Sequence, residues 1–153
     1  MDKLIRKAEA KDIARLVELC QNHAAYEEID FQPKGKAELL SKALFSDTPR
    51  LFCFVIESQG DLGGYFTYTF DFSTWDAQLF LYLDCLYLEP EFRGMGISEK
   101  IIENLRGIAQ ENNCVNIQFQ TPVFNVRAIK FYNRMGALGK EKVRFSIPME
   151  VHC

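Results

Sequence analysis

Histidine is almost missing from this chain: His23 and His152 are the only two, and no CxxC or HxxxH spacing accompanies them. A structural or catalytic metal site therefore has no ligand set, and none is expected. Runs of lysine or arginine are also lacking and the formal net charge is −3, so the footprint of a nucleic-acid or anionic-membrane binder is not there. No segment approaches the roughly 20 apolar residues of a membrane span. The N-terminus, Met1-Asp2-Lys3-Leu4-Ile5-Arg6-Lys7, has no apolar core suited to a signal peptide. Cysteines are few, odd in number and scattered singly (Cys20, Cys53, Cys85, Cys114, Cys153), several of them inside apolar patterns where a free thiol packs as a small hydrophobe. These absences lead to the expectation of a soluble protein of a reducing, cytoplasmic compartment.

What is present is a core. With 48% hydrophobic and 13% aromatic residues over 153 positions, the chain has the make-up of one compact domain, expected to span 1–153. A short first strand is expected over 4–8. Ile13, Leu16, Val17, Leu19, Cys20 and Ala24 then recur at helical spacing, which predicts a helix over 12–25. An acidic loop follows (Tyr26, Glu27, Glu28, Asp30), then a second periodic run through Leu39, Leu40, Ala43, Leu44 and Phe45. His23 is read as a surface or capping residue. From Leu51 the period changes to that of strands, and two runs separated by Gln59-Gly60-Asp61 should pair as a hairpin. Trp75 and the aromatics Tyr65, Phe66, Tyr68 and Phe70 are expected in the core rather than around a substrate.

Residues 79–88 are apolar on both faces, with Leu79, Leu81, Leu83, Cys85 and Tyr87 expected on one and Phe80, Tyr82, Leu86 and Leu88 on the other. Such a strand belongs in the middle of a covered sheet. Its single charge, Asp84, must be paired or reach water, so it is either part of an ion pair or placed at a cleft. A turn and the stretch Arg93-Gly94-Met95-Gly96-Ile97-Ser98 lead into a helix carrying Ile97, Ile101, Ile102, Leu105 and Ile108. Glycines before a helix N-terminus bring free amides within reach of an anion, and Arg93 adds positive charge. No Gly-Lys-Ser/Thr follows, and Glu99 stands where a dinucleotide fingerprint needs its third glycine, so nucleotide hydrolysis and hydride transfer lose ground. A parallel strand over 114–120, a helix over 125–135 closed by Gly136, and a last strand over 143–151 complete the pattern. The fold class is α/β, with a mixed sheet.

Arg93-Gly94-Met95-Gly96-Ile97-Ser98, placed after an apolar strand, resembles the Gln/Arg-x-x-Gly-x-Gly/Ala signature of the GNAT superfamily of N-acetyltransferases. Asn125-Val126-Arg127-Ala128-Ile129-Lys130-Phe131-Tyr132-Asn133-Arg134-Met135-Gly136-Ala137 is similar to that family's Asn-x-x-Ala-x-x-Phe-Tyr-x-x-x-Gly-Ala block. Within the superfamily, Tyr26-Glu27, Tyr65-Phe66-Thr67-Tyr68, Trp75 and Leu81-Tyr82-Leu83-Asp84 resemble the diamine (spermidine/spermine and thialysine) acetyltransferases. That subfamily usually has Glu where Asp84 stands and an acidic residue at Cys85, and Ser98 replaces the superfamily's Gly/Ala.

The resemblance implies a single-domain GNAT fold: a mostly antiparallel central sheet with a parallel, splayed strand pair and about four flanking helices. It implies acetyl-CoA as donor and a polyamine-like or lysine-analogue amine as acceptor. A bulkier amine (an aminoglycoside or a peptide N-terminus) and a non-catalytic acyl-CoA-binding module are the alternatives. By resemblance, Leu86, Tyr87, Leu88, Arg93, Gly94, Met95, Gly96, Ile97, Ser98, Asn125, Ala128 and Tyr132 bind the cofactor. Tyr26, Glu27, Glu28 and Asp84 meet the amine, Asp84 takes its proton through water, the amide at about Leu86 stabilises the oxyanion, and Tyr132 protonates the leaving thiolate. The family often forms homodimers, and a dimer is expected here.

Overall fold

The computed structural model describes residues 3–150. Met1 and Asp2, and Val151, His152 and Cys153 at the other end, lie outside the described residues. Contacts group the chain into two units, Met1–Gln120 and Thr121–Cys153.

The first unit runs β1 (Leu4–Lys7), α1 (Ile13–Tyr26), α2 (Lys36–Phe45), β2 (Phe52–Ser58), β3 (Asp61–Ser73), β4 (Gln78–Leu88), α3 (Ile97–Glu111) and β5 (Ile117–Phe119). The five strands lie side by side in chain order. All neighbours are antiparallel except β4 and β5, which run parallel because α3 carries the chain back across the sheet. This is the mixed α/β sheet expected from the alternation pattern. The β2–β3 hairpin closes through Gln59 and Gly60, both left-handed at φ 53° and 84°, which matches the twist of paired strands.

One sheet face, with Cys53, Val55, Leu62, Tyr65 and Tyr87, packs against Ile13, Leu16 and Leu19 of α1 and Leu44 of α2. Ile56, Phe66, Leu81, Leu83 and Leu88 are buried on the other face, and α3 buries its stripe of Ile97, Ile101, Ile102, Leu105 and Ala109. Stacked rings bind the antiparallel strands across the ladder, Phe54 on Phe66 at 5.2 Å and Phe52 on Tyr68 at 5.3 Å. Trp75 departs from the core expectation: it sits in the β3–β4 turn and is 98% exposed.

An ion pair ties the sheet edge to the start of α1. Arg6 donates to both carboxylate oxygens of Asp12 at 2.8 and 3.0 Å, and Asp12 also accepts from the Glu9 amide at 2.8 Å. Asp12 is 5% exposed, and its carboxyl is held below the usual range chiefly by the bond from Arg6. A depressed folded-state pKa contributes stability that is present above the unfolded value of about 3.9 and is lost as pH falls through the folded one. Asp12→Asn should therefore cost about 2 kcal/mol at pH 7, the loss of a buried charge partner being eased by Glu57, which also bonds Arg6. The gap in thermal midpoint between the two proteins should narrow as pH drops below 4. A gap that stays constant down to pH 2.5 would refute this account.

In the second unit, α4 (Val126–Arg134) starts at Asn125, whose side chain accepts from the Ala128 amide at 3.3 Å. Gly136, left-handed at φ 91°, follows the helix end, as expected. The expected last strand is not formed over 143–150, where no strand is assigned. Val143, Phe145, Ile147 and Met149 are all at least 77% exposed. Alternation makes a strand only where a neighbouring edge accepts its amides, and Pro148 removes one of those donors.

Candidate active site

The site is built on an irregularity in β4. Facing β3, Leu83 stands opposite Tyr68 and Cys85 opposite Thr67, so Asp84 has no partner residue. Asp84 is thus the extra residue of a β-bulge, and one extra residue exchanges the faces of everything after it. Leu81 and Leu83 share a face with Leu86 and Leu88, whereas Cys85 and Tyr87 join Phe80 and Tyr82 on the other. This corrects the simple odd-and-even assignment read from the sequence.

The bulge also re-aims the backbone. Before it, the Leu81 amide donates to Asn116 on the β5 side at 3.1 Å, and β5 pairs with Leu81, Tyr82 and Leu83 only. Beyond it, the Glu89 amide donates to Gly63 at 2.8 Å, which makes 63 and 89 a hydrogen-bonded pair with β3. Alternation then makes Tyr65 and Tyr87 bonded and turns the amides and carbonyls of Leu86 and Leu88 away from β3, toward the side that β5 has left. Asp84 is solvent-exposed at the fork. The carboxylate reaches water there, as a charge within a strand must when it is not paired.

Tyr87 does not share in this opening. Its backbone faces β3 and its buried side chain lies on the α1 side, the hydroxyl donating to Glu89 at 3.0 Å. Tyr87, expected from the resemblance among the cofactor contacts, thus turns its backbone to β3. The Tyr87 phenol is pushed up by burial and by Glu89.

After a one-turn 3-10 segment at Pro90–Phe92, Gly94 and Gly96 are left-handed at φ 77° and 74°, the second capping α3 with no side-chain cap. An added Cβ at Gly94 would meet nothing within 4 Å, so glycine is needed there for the backbone turn and not for space. The amides of Ile97, Ser98 and Glu99 precede the first intrahelical bond, made by Lys100 to Gly96, and point out of the helix end. Arg93 behaves differently from the sequence reading. Its Nε donates to the Leu88 carbonyl at 2.8 Å and its guanidinium lies over the rings of Tyr26 at 5.1 Å and Tyr87 at 5.7 Å. The side chain thus folds back onto β4, leaving backbone amides as the groups the loop offers an anion.

The acidic loop after α1 divides in two. Glu28 and Asp30 are exposed, whereas Glu27 is half-buried and bonded to His23 Nε2 at 2.5 Å. His23 is itself buried, its Nδ1 lying 2.7 Å from the Tyr65 hydroxyl, which corrects its reading as a surface or capping residue. Its spacing in the buried stripe of α1 (Ile13, Leu16, Leu19, His23) was the signal available in the sequence. Cys85, beside Asp84, has its thiol pushed up to about 12 by burial first and the Asp84 charge second. Cys20, Cys53 and Cys114 are raised as well, mainly by burial. Among the described residues no group of three or more His, Cys, Asp or Glu could hold a metal, and no helix is long and apolar enough to cross a membrane.

In the second unit, Asn125 Nδ2 donates to Thr121 Oγ1 at 3.3 Å, and half-buried Tyr132 stands edge-on to Phe131 at 5.5 Å.

The fork between β4 and β5 leaves outward-facing amides at Leu86 and Leu88, and the start of α3 leaves further free amides. The family pattern of the Acetyltransferase (GNAT) family matches residues 16–137. The chain is 32% identical over 142 residues to thialysine N-epsilon-acetyltransferase of Bos taurus, covering 88% of this chain and 83% of the relative. It is 30% identical to the human spermidine/spermine N(1)-acetyltransferase-like protein 1 over 88% of this chain and 20% of that one. Among solved structures, a possible acetyltransferase from Clostridium difficile 630 superposes with a TM-score of 0.81 at 17% identity, covering 97% of this chain and 98% of the other. An aminoglycoside N-acetyltransferase in complex with CoA reaches 0.79 at 17% identity, over 96% and 95%. The chain belongs to the GNAT family. It is an acetyl-CoA-dependent N-acetyltransferase.

Proposed function

We propose that the chain, folding as one N-acetyltransferase domain over 1–153, acetylates a primary amine of a small polyamine-like or lysine-analogue molecule by direct attack on acetyl-CoA. The observation that carries this is the bulge at Asp84, which sets an exposed carboxylate beside a strand edge with outward amides. The names of the relatives, thialysine and spermidine/spermine acetyltransferases, support the choice of amine.

A primary alkyl ammonium has a pKa of about 10.4, so the amine must lose a proton before it can attack. Asp84 takes that proton through a water. The Leu86 amide meets the oxygen on which charge grows, since an N–H already aimed there needs no rearrangement as the charge appears. Leu86 and Leu88 pair with the amides of the thioester arm as a neighbouring strand would. The amides over 94–98 and the start of α3 hold the pyrophosphate, with Gly94 and Gly96 giving the turn that gathers them. Asn125 and Ala128 contact the thioester arm, and Tyr132 protonates the departing thiolate. Tyr26, Glu27 and Glu28 shape the end that receives the amine. Raised cysteine pKa values support direct transfer, because none of Cys20, Cys53, Cys85 and Cys114 offers a thiolate to carry the acetyl group at neutral pH.

The test is CoA release from acetyl-CoA with a panel of diamines, polyamines, lysine analogues, aminoglycosides and peptides. Release stimulated by diamines or lysine analogues is expected, and stimulation only by the bulkier amines, or by none, would sink the reading. A cytoplasmic homodimer completes the proposal. It is supported by the singly placed free cysteines and by the apolar, exposed Val143, Phe145, Ile147 and Met149. A monomeric mass by light scattering at micromolar concentration would overturn the dimer.

A further inference from the structure

The most completely bonded polar chain near the bulge contains a residue with no role in the reaction above. Helix α1 ends at Tyr26, and Glu27 caps it, its amide donating to the His23 carbonyl at 3.0 Å. A carboxylate at a helix C-terminus faces the negative end of the helix dipole, so Glu27 gains from a hydrogen-bond donor there. His23 supplies it. A carboxylate oxygen accepts, so Nε2–H donates to Glu27, and Nδ1 then accepts from the Tyr65 hydroxyl.

The partners beyond reinforce that direction. Burial drives the Tyr65 phenol far up, so it keeps the proton it donates to His23, and the Cys20 and Cys85 thiols are raised too, mainly by burial. The His23 ring is stacked on Tyr87 at 5.2 Å, whose hydroxyl is held by Glu89, so the imidazole has no room to swing. The charged groups around this cluster are Glu27 on α1, Asp84 and Glu89 at β4, and Arg93 over the Tyr87 ring. A bonded path thus runs from Tyr65 through His23 to Glu27 at the start of the acidic loop.

We propose that His23 is a positioning residue for acceptor choice: held by Tyr65, it presents the Glu27 carboxylate, fixed in direction, to the cationic far end of a diamine. This rests on the reading of the acidic loop as the amine-receiving end. Glu28 and Asp30, exposed beside it, attract cations without fixing where they sit. One anchored carboxylate selects for a second positive charge at a set distance from the amine that reacts.

The experiment measures spermidine and thialysine binding to the CoA-loaded protein by calorimetry, alongside steady-state acetyl transfer. His23→Leu should weaken amine binding about tenfold or more, as loss of the donor to a half-buried carboxylate does, while the acetyl-CoA KM and kcat move little. His23→Gln, whose amide can still donate toward Glu27, should recover most of the binding. In a Glu27→Gln background the His23→Leu effect should largely vanish, since coupled residues are not additive. If His23→Leu does not fold, Tyr65→Phe removes only the hydroxyl and should weaken amine binding in the same direction, with imidazole nitrogen shifts showing loss of the single Nε2–H tautomer. Amine affinity unchanged in these variants overturns the proposal while leaving the acetyltransferase reading intact. Amine binding that depends on His23 without any acetyl transfer supports the proposal and sinks only that reading. Failure of both amines to bind the wild-type chain overturns the proposal.

Discussion

Tyr132→Phe should slow amine-dependent CoA release about 100-fold, the low end of what a positioned acid contributes, with CoA affinity within about twofold of wild type. Departure of a thiolate is helped by a proton arriving as the C–S bond breaks, and a phenol with a parent pKa of about 10 is still protonated at pH 7 to give it. The substitution suits the question because the ring of Tyr132 packs edge-on against Phe131 on a helix whose ends are fixed by Asn125 and followed by Gly136. Phenylalanine keeps that packing and removes only the hydroxyl. Stopped-flow measurement of the chemical step decides it, and a rate within about threefold of wild type removes Tyr132 from the mechanism.

Asp84→Asn should be about 30-fold less active than wild type at pH 7 in kcat/KM for the amine, and the deficit should shrink as pH rises. The sign follows from the acceptor. Each unit of pH below the ammonium pKa of about 10.4 lowers the free-amine fraction tenfold, so a variant without its base depends on amine that arrives already deprotonated. The exposed bulge position lets asparagine replace aspartate without burying an unpaired group. A pH profile from 6.5 to 9.5 on both proteins checks it. A deficit that is constant across that range would assign Asp84 to amine binding and not to proton removal.

Much of this was legible in the order of residues. Period changes separated α1 and α2 from β2 and β3, and the apolar run of β4 gave a strand covered on both sides. The glycine loop and the block from Asn125 to Gly136 gave the family. What could not be read was the bulge, because a strand that is apolar on both faces shows no break in alternation when one residue is inserted. His23 was misread because one polar residue in a buried helix stripe looks like a boundary, and its partners, Tyr65 and Glu27, lie 42 residues and one helical turn away. The C-terminal alternation misled in the opposite way, since a pattern of faces does not supply an edge to pair with.

The extra residue in β4 also sets which genetic changes the site can survive. Substitutions at 84 change one side chain at an exposed position and leave the strand as it is. Deleting 84 restores unbroken pairing with β3: Leu83 and Cys85 become neighbours and keep their partners Tyr68 and Thr67, so the residues after them keep their faces and what is lost is the exposed carboxylate with its bulge. The fork is therefore open to drift in chemistry, aspartate for another acid or amide, and to loss of the carboxylate by a one-residue deletion that leaves the strand paired. Descendants of this chain can lose the bulge without losing the sheet, so its presence is a property of the site and not a demand of the fold.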